Sequence, residues 1–190
     1  MPRFGRQDWC TPPEFLAAVE RDLGPIRGDL ACSEENNVLG LKSADFSRLP
    51  PFITEEENSL NTDWNLAIDA GRFGEEPGVL WCNPPYSDVE PWVAKAGQTA
   101  GSMPTGWSIT ILCPASLSTA WARRTVFGRR SAARVLTVFL VYPRLTFVGA
   151  AHPYPKDLML LRYERQEEHG NRRTSFVSWD WPSGEMFGTQ

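Results

Sequence analysis

Apolar positions along this chain fall into segments whose spacing switches repeatedly between helical and strand-like. Thr11-Pro12-Pro13-Glu14 has a capping residue, a proline at the first helical position and a glutamate at the third, which predicts a helix start. Phe15, Leu16, Val19 and Leu23 then share one face, and Gly24-Pro25 ends the helix. Gly28-Asp29-Leu30-Ala31-Cys32 reads as a short strand. Residues 33 to 77 lack periodicity and are expected to form loops and short helices. Gly78 to Cys82 is a continuous apolar run, a buried strand leading straight into Asn83-Pro84-Pro85-Tyr86. Ser87-Asp88-Val89-Glu90 is a second capping box, followed by helical apolar spacing at Val89, Trp92, Val93 and Ala96 to about Ala100. A strand at Trp107 to Cys113 and a basic helix near Thr119 to Phe127 come next, then strands at Val135 to Tyr142, Leu145 to Val148 and Leu158 to Tyr163. Helices alternating with strands, then strands in succession, predict an α/β fold: a mostly parallel sheet with an antiparallel edge.

Composition narrows the class. At 190 residues, with 42% apolar and 22% charged residues, the chain fits one domain spanning residues 1 to 190 with a real core. The longest apolar run, Val135 to Tyr142, is too short to cross a bilayer, so no membrane association is expected. The first residues lack the apolar stretch of a secretory signal, which predicts a cytoplasmic address. Cys10, Cys32, Cys82 and Cys113 stand singly; Cys32, Cys82 and Cys113 read as small buried apolar residues. With only His152 and His169 to join them, no metal-ligand spacing exists, and no metal is expected. Serine-histidine catalysis is weak for the same reason, since no Gly-x-Ser-x-Gly elbow is present.

The net charge of −4 hides a strong asymmetry. Residues 1 to 90 hold 17 acids and 7 bases, whereas residues 91 to 156 hold 8 bases and no acid. That acid-free stretch contains Arg123, Arg124, Arg129, Arg130 and Arg144, a candidate surface for nucleic acid.

The densest chemistry lies in Asn83-Pro84-Pro85-Tyr86, at the carboxyl end of a predicted buried strand, where open α/β sheets bind ligands. Pro85 has no N–H, which leaves the Pro84 carbonyl free to accept, and Asn83 adds a side-chain acceptor. Two acceptors can hold both protons of one amino group, and Tyr86 supplies a flat face for a planar ring. This layout suits methylation of an amino group on a base or amide.

In these residues the chain resembles the amino-methyltransferases that use S-adenosylmethionine, and among them the phage-type DNA N6-adenine methyltransferases. Asp8-Trp9-Cys10-Thr11-Pro12 is similar to the family's Trp-x-Thr-Pro opening, and Asp29 to Asn36 to its Asp-x-x-Ala-Ser-x-x-Asn segment, with Cys32 at the usual alanine. Ser59 to Trp64, Leu80 to Ser87, Pro114 and Trp121 follow in order, and Arg144-Leu145-Thr146-Phe147 is similar to a Gly-Arg-x-x-Phe signature whose glycine is here Pro143. The resemblance covers about residues 8 to 163. It implies a Rossmann-like class I methyltransferase fold, S-adenosylmethionine as cofactor and DNA as substrate. It also implies cofactor contacts from Trp9, Thr11, Asp29, Ala31, Cys32, Ser33, Asn36 and Asp63, and a catalytic Asn83-Pro84-Pro85-Tyr86. A phage-borne chain of this kind would work in the cytoplasm of a bacterial host. The helix beginning at Thr11 would offer backbone donors and a positive dipole to the methionine carboxylate, and Asp29 would accept from its ammonium.

Two other readings fit the tetrapeptide: a protein glutamine or RNA amino-methyltransferase, and a nucleic-acid-binding domain without catalysis. Glutamine methylators usually carry a glycine-rich cofactor loop and a separate helical domain, and neither is visible here.

Overall fold

A computed structural model describes residues 10–47, 49–128, 135–165 and 173–188. They form helices α1 (Pro13–Leu23), α2 (Trp64–Asp69), α3 (Glu90–Ala100) and α4 (Ala120–Thr125). The strands are β1 (Ile26–Cys32), β2 (Phe52–Thr54), β3 (Val79–Cys82), β4 (Ser108–Pro114), β5 (Val135–Tyr142), β6 (Leu158–Glu164), β7 (Arg173–Asp180) and β8 (Glu185–Gly188). All eight join one sheet in the order β2-β1-β3-β4-β6-β5-β7-β8. The fold is the expected α/β class, and its sheet is mostly parallel with an antiparallel edge at β8. A second antiparallel strand, β6, lies inside the sheet between β4 and β5.

Each face has its own core. Trp64, Ile68, Val93, Ala96 and Ala122 cover one face from α2, α3 and α4. On the other, α1 lays Phe15, Ala18, Val19 and Leu23 against the sheet. Phe15 meets the rings of Trp81, Trp179 and Trp181, and Trp179 Nε1 donates to Asp22 Oδ2 at 2.9 Å. The first helix is thus held by a strand more than 150 residues away, and truncating Phe15 to alanine would cost about 3–5 kcal/mol.

Several local expectations are corrected. The 33–77 stretch contains a strand, β2, too short for periodicity to reveal. Leu145 to Val148 is not a strand; it follows a cis Tyr142–Pro143 bond as irregular chain. Neither capping box forms. Pro12 is the N-cap of α1 and Val89 that of α3, each without a side-chain cap bond, because α1 begins two residues after Thr11 and α3 three residues after Ser87. Among the described residues no helix is long and apolar enough to cross a membrane.

Candidate active site

The chain leaves β1 toward β2 on one side and later returns as β3 on the other. The carboxyl ends of β1 and β3 therefore border the crevice where parallel sheets take their ligands. A cavity of about 530 Å³ opens there, within the range of small-molecule sites. Its wall includes Cys10, Thr11, Asp29, Trp81, Asn83 and Pro85.

Asp29 leaves β1 only 2% exposed. Its carboxylate accepts from the Ala31 N–H at 3.1 Å and the Val38 N–H at 3.0 Å. Burial pushes its pKa from 3.8 up to about 6, and the two backbone bonds offset only part of that. A cation beside it would favour the ionised form. Ala31, Cys32, Ser33 and Asn36 line the same cavity, and Asn36 Oδ1 closes their turn by accepting from the Ser33 N–H at 2.6 Å. Cys32 is therefore not plain core: it is half-buried, borders the cavity and ties β1 to β2 through Sγ and the Ile53 carbonyl at 3.6 Å. Cys82 and Cys113 are buried as expected.

Asn83 follows four buried strand residues and is half-buried. Alternation along the strand puts it on the same side as Trp81, which faces Asp29 across the β1–β3 ladder. Asn83 Nδ2 donates to Thr11 Oγ1 at 3.4 Å. Pro84 is buried, and no described group donates to its carbonyl. Tyr86 is not part of the cavity wall. Its ring sits edge-on to Phe147 and Tyr154, with centroids 6.3 and 5.5 Å away, so the Arg144–Phe147 signature meets the tetrapeptide in space. Burial raises the Tyr86 hydroxyl well above its ordinary pKa.

Some cavity-lining residues had escaped sequence reasoning. Thr54, Glu55, Asn58, Leu60 and Trp92 all reach the wall. Three side chains hold that wall. Arg72 donates to the Pro50 and Phe52 carbonyls and pairs with Glu57; Trp64 Nε1 donates to Ser59; Lys95 donates to the Leu60 and Thr62 carbonyls at 2.9 and 2.6 Å. None of these contacts is local enough to leave a periodic signal.

Asp63 is not on the cavity wall; it caps α2, accepting from the Leu66 N–H at 3.1 Å. Trp9, Arg129 and Arg130 lie outside the described residues. Arg123 is exposed. Arg124 forms a two-pronged pair with Glu90 at 2.8 and 2.7 Å, and Arg144 pairs with Asp157 at 2.8 Å, so acids from flanking segments offset the acid-free stretch. No group of three or more His, Cys, Asp or Glu among the described residues is placed to hold a metal.

S-adenosylmethionine fits this donor set. The cavity combines a buried carboxylate for an ammonium with an unused buried donor, the Trp81 indole N–H, which finds no acceptor among the described residues.

The sequence comparisons agree on one family. A family model described as DNA N-6-adenine-methyltransferase (Dam) matches residues 1–158. The chain is 32% identical over 137 residues to a DNA N-6-adenine-methyltransferase of Escherichia phage T1, covering 72% of this chain and 47% of that protein. It is 27% identical over 176 residues to a protein of the same description from Haemophilus phage HP1, covering 90% of this chain and 86% of that one. The chain thus spans about half the length of the phage T1 relative and most of the phage HP1 relative. Among solved structures it is similar to a predicted O-methyltransferase, protein Atu636 from Agrobacterium tumefaciens, at 16% identity and a TM-score of 0.37, covering 84% of this chain and 70% of that one.

Proposed function

We propose that this chain, which belongs to the DNA N-6-adenine-methyltransferase family, methylates the exocyclic N6 amine of adenine in DNA. The observation that carries this reading is that Asn83 and Pro85 line the same cavity as Asp29 and Thr11, so that acceptors for a target amine and contacts for a methyl donor share one space. S-adenosylmethionine, when bound, supplies an electrophilic methyl group. Asp29 would accept from its ammonium, the Trp81 indole N–H would serve its carboxylate, and Ala31, Cys32, Ser33, Asn36, Asn58 and Leu60 line the space for the rest.

A flipped adenine brings its amine to Asn83 Oδ1 and the Pro84 carbonyl. Each oxygen takes one N–H, which draws the nitrogen out of conjugation with the ring and leaves its lone pair facing the methyl group. The adenine ring lies against Tyr86, whose own ring is fixed by Phe147 and Tyr154. Neither oxygen is basic enough to keep the proton lost from N6, so it passes to water. Orientation supplies the acceleration, with an entropic ceiling of about 7–11 kcal/mol. Arg123, with Arg124, Arg144, Arg129 and Arg130, lies in the stretch assigned to the DNA backbone.

The test is transfer of a labelled methyl group to DNA, RNA and protein, with nucleoside analysis of the product. N6-methyladenine in DNA is expected, and Asn83→Ala should lose more than tenfold in turnover, over about 1.4 kcal/mol of barrier. Label in RNA or protein alone, or an Asn83→Ala enzyme retaining a tenth of the rate or more, refutes the reading.

A further inference from the structure

We infer that Thr11 is a positioning residue that holds the amide of Asn83 with its oxygen toward the target amine, an inference that rests on the methylation reading above. An asparagine amide has a donor end and an acceptor end of nearly equal shape, and only the acceptor end can hold an amino group. Turned by 180°, Asn83 would present N–H against N–H. Something must therefore occupy the Nδ2 end.

Thr11 does so. Its hydroxyl oxygen accepts from Asn83 Nδ2 at 3.4 Å, across a sequence separation of 72 residues. The residue is only 7% exposed, so water does not readily replace it. The Thr-Pro-Pro-Glu sequence has the form of a helix cap, yet the N-cap of α1 is Pro12 and no side chain caps it. The hydroxyl is thereby released from the helix and available to the strand. With Oδ1 engaged, Nδ2 becomes a donor in a closed site, and leaving such a donor unpaired is costly. Thr11 also stands two residues before α1 and itself lines the cavity, so the same residue links the two halves of the site.

Thr11→Val keeps shape and removes the acceptor, whereas Thr11→Ser keeps the acceptor. Thr11→Val should lower kcat tenfold or more at saturating S-adenosylmethionine, with the KM for DNA within twofold of wild type, and Thr11→Ser should restore at least a third of the turnover. By NMR, the Asn83 side-chain amide protons should exchange slowly in wild type and Thr11→Ser, and fast in Thr11→Val. Should the valine variant not fold, Thr11→Ala is read in the same way, and wild-type exchange decides the contact directly. Fast Asn83 exchange in wild type, or a wild-type kcat in Thr11→Val, overturns the inference. Slow, Thr11-dependent exchange in a chain that transfers no methyl to DNA leaves the contact standing and overturns the methylation reading, and the catalytic role of Thr11 with it.

Discussion

Asp29 makes the proposed cofactor site sensitive to pH in a direction that its burial dictates. The carboxyl is 2% exposed and titrates at about 6 in the folded chain instead of 3.8. Below 3.8 both folded and unfolded chains hold the proton, and Asp29 makes no pH-dependent contribution. Between 3.8 and about 6 the unfolded chain has released the proton and the folded chain keeps it, so stability falls as pH rises. The gap corresponds to about 3 kcal/mol, reached near pH 6 and constant above it. Cofactor binding runs the other way, because an ammonium needs the ionised carboxylate. At pH 5 only about a tenth of Asp29 is ionised, so Kd for S-adenosylmethionine should rise about tenfold from pH 7.5 to pH 5. Asp29→Asn removes the titration from both measurements. Urea unfolding of both proteins from pH 3.5 to 7.5 should show wild type losing about 3 kcal/mol relative to the variant across that window. Calorimetry should find weakened binding in the variant, by about tenfold or more at pH 7.5, where a charge-assisted bond contributes about 1.5–3 kcal/mol, and little change with pH. Parallel stability curves, together with equal pH dependence of Kd, would show that Asp29 is neither desolvated nor the ammonium partner.

Tyr86 should act through its ring. Tyr86→Phe is expected to stay within about threefold of wild-type turnover, while Tyr86→Ala should lose base stacking worth about 1–3 kcal/mol, and equal damage from the two in a steady-state assay would assign the role to the hydroxyl. The arginines divide by whether an acid already holds them. Arg123→Ala should flatten the slope of log affinity against log salt on duplex DNA by about 0.9, whereas Arg124→Ala should change it less because Glu90 holds that guanidinium. Glu90→Gln frees Arg124 and should steepen the slope, and a flatter slope in that variant would take this face away from DNA.

Much of the site was legible in the sequence because its signals are local. The four apolar residues of β3 running into Asn83-Pro84-Pro85 fix an extended segment that ends in hydrogen-bond acceptors, whatever lies around it. The apolar spacing of α1 and α3, the strand carrying Asp29 and the order of the family segments are likewise properties of short stretches of chain.

Tertiary structure decided what each side chain does there. Thr11 and Glu90 have the sequence context of helix caps, but a hydroxyl or carboxylate bonds whichever partner the fold brings near, and these met Asn83 and Arg124. A charge count along the chain could not foresee that Glu90 and Asp157 would fold back onto the acid-free stretch. Nor could periodicity place β6 between β4 and β5, because strand order depends on how crossovers pack and not on the pattern within a strand. The sequence by itself determined which groups stand at the end of β3. The neighbours that orient them, Thr11 for Asn83 and Phe147 with Tyr154 for Tyr86, lie roughly 60 to 70 residues away in the chain, and only chain folding brings groups so far apart into contact range.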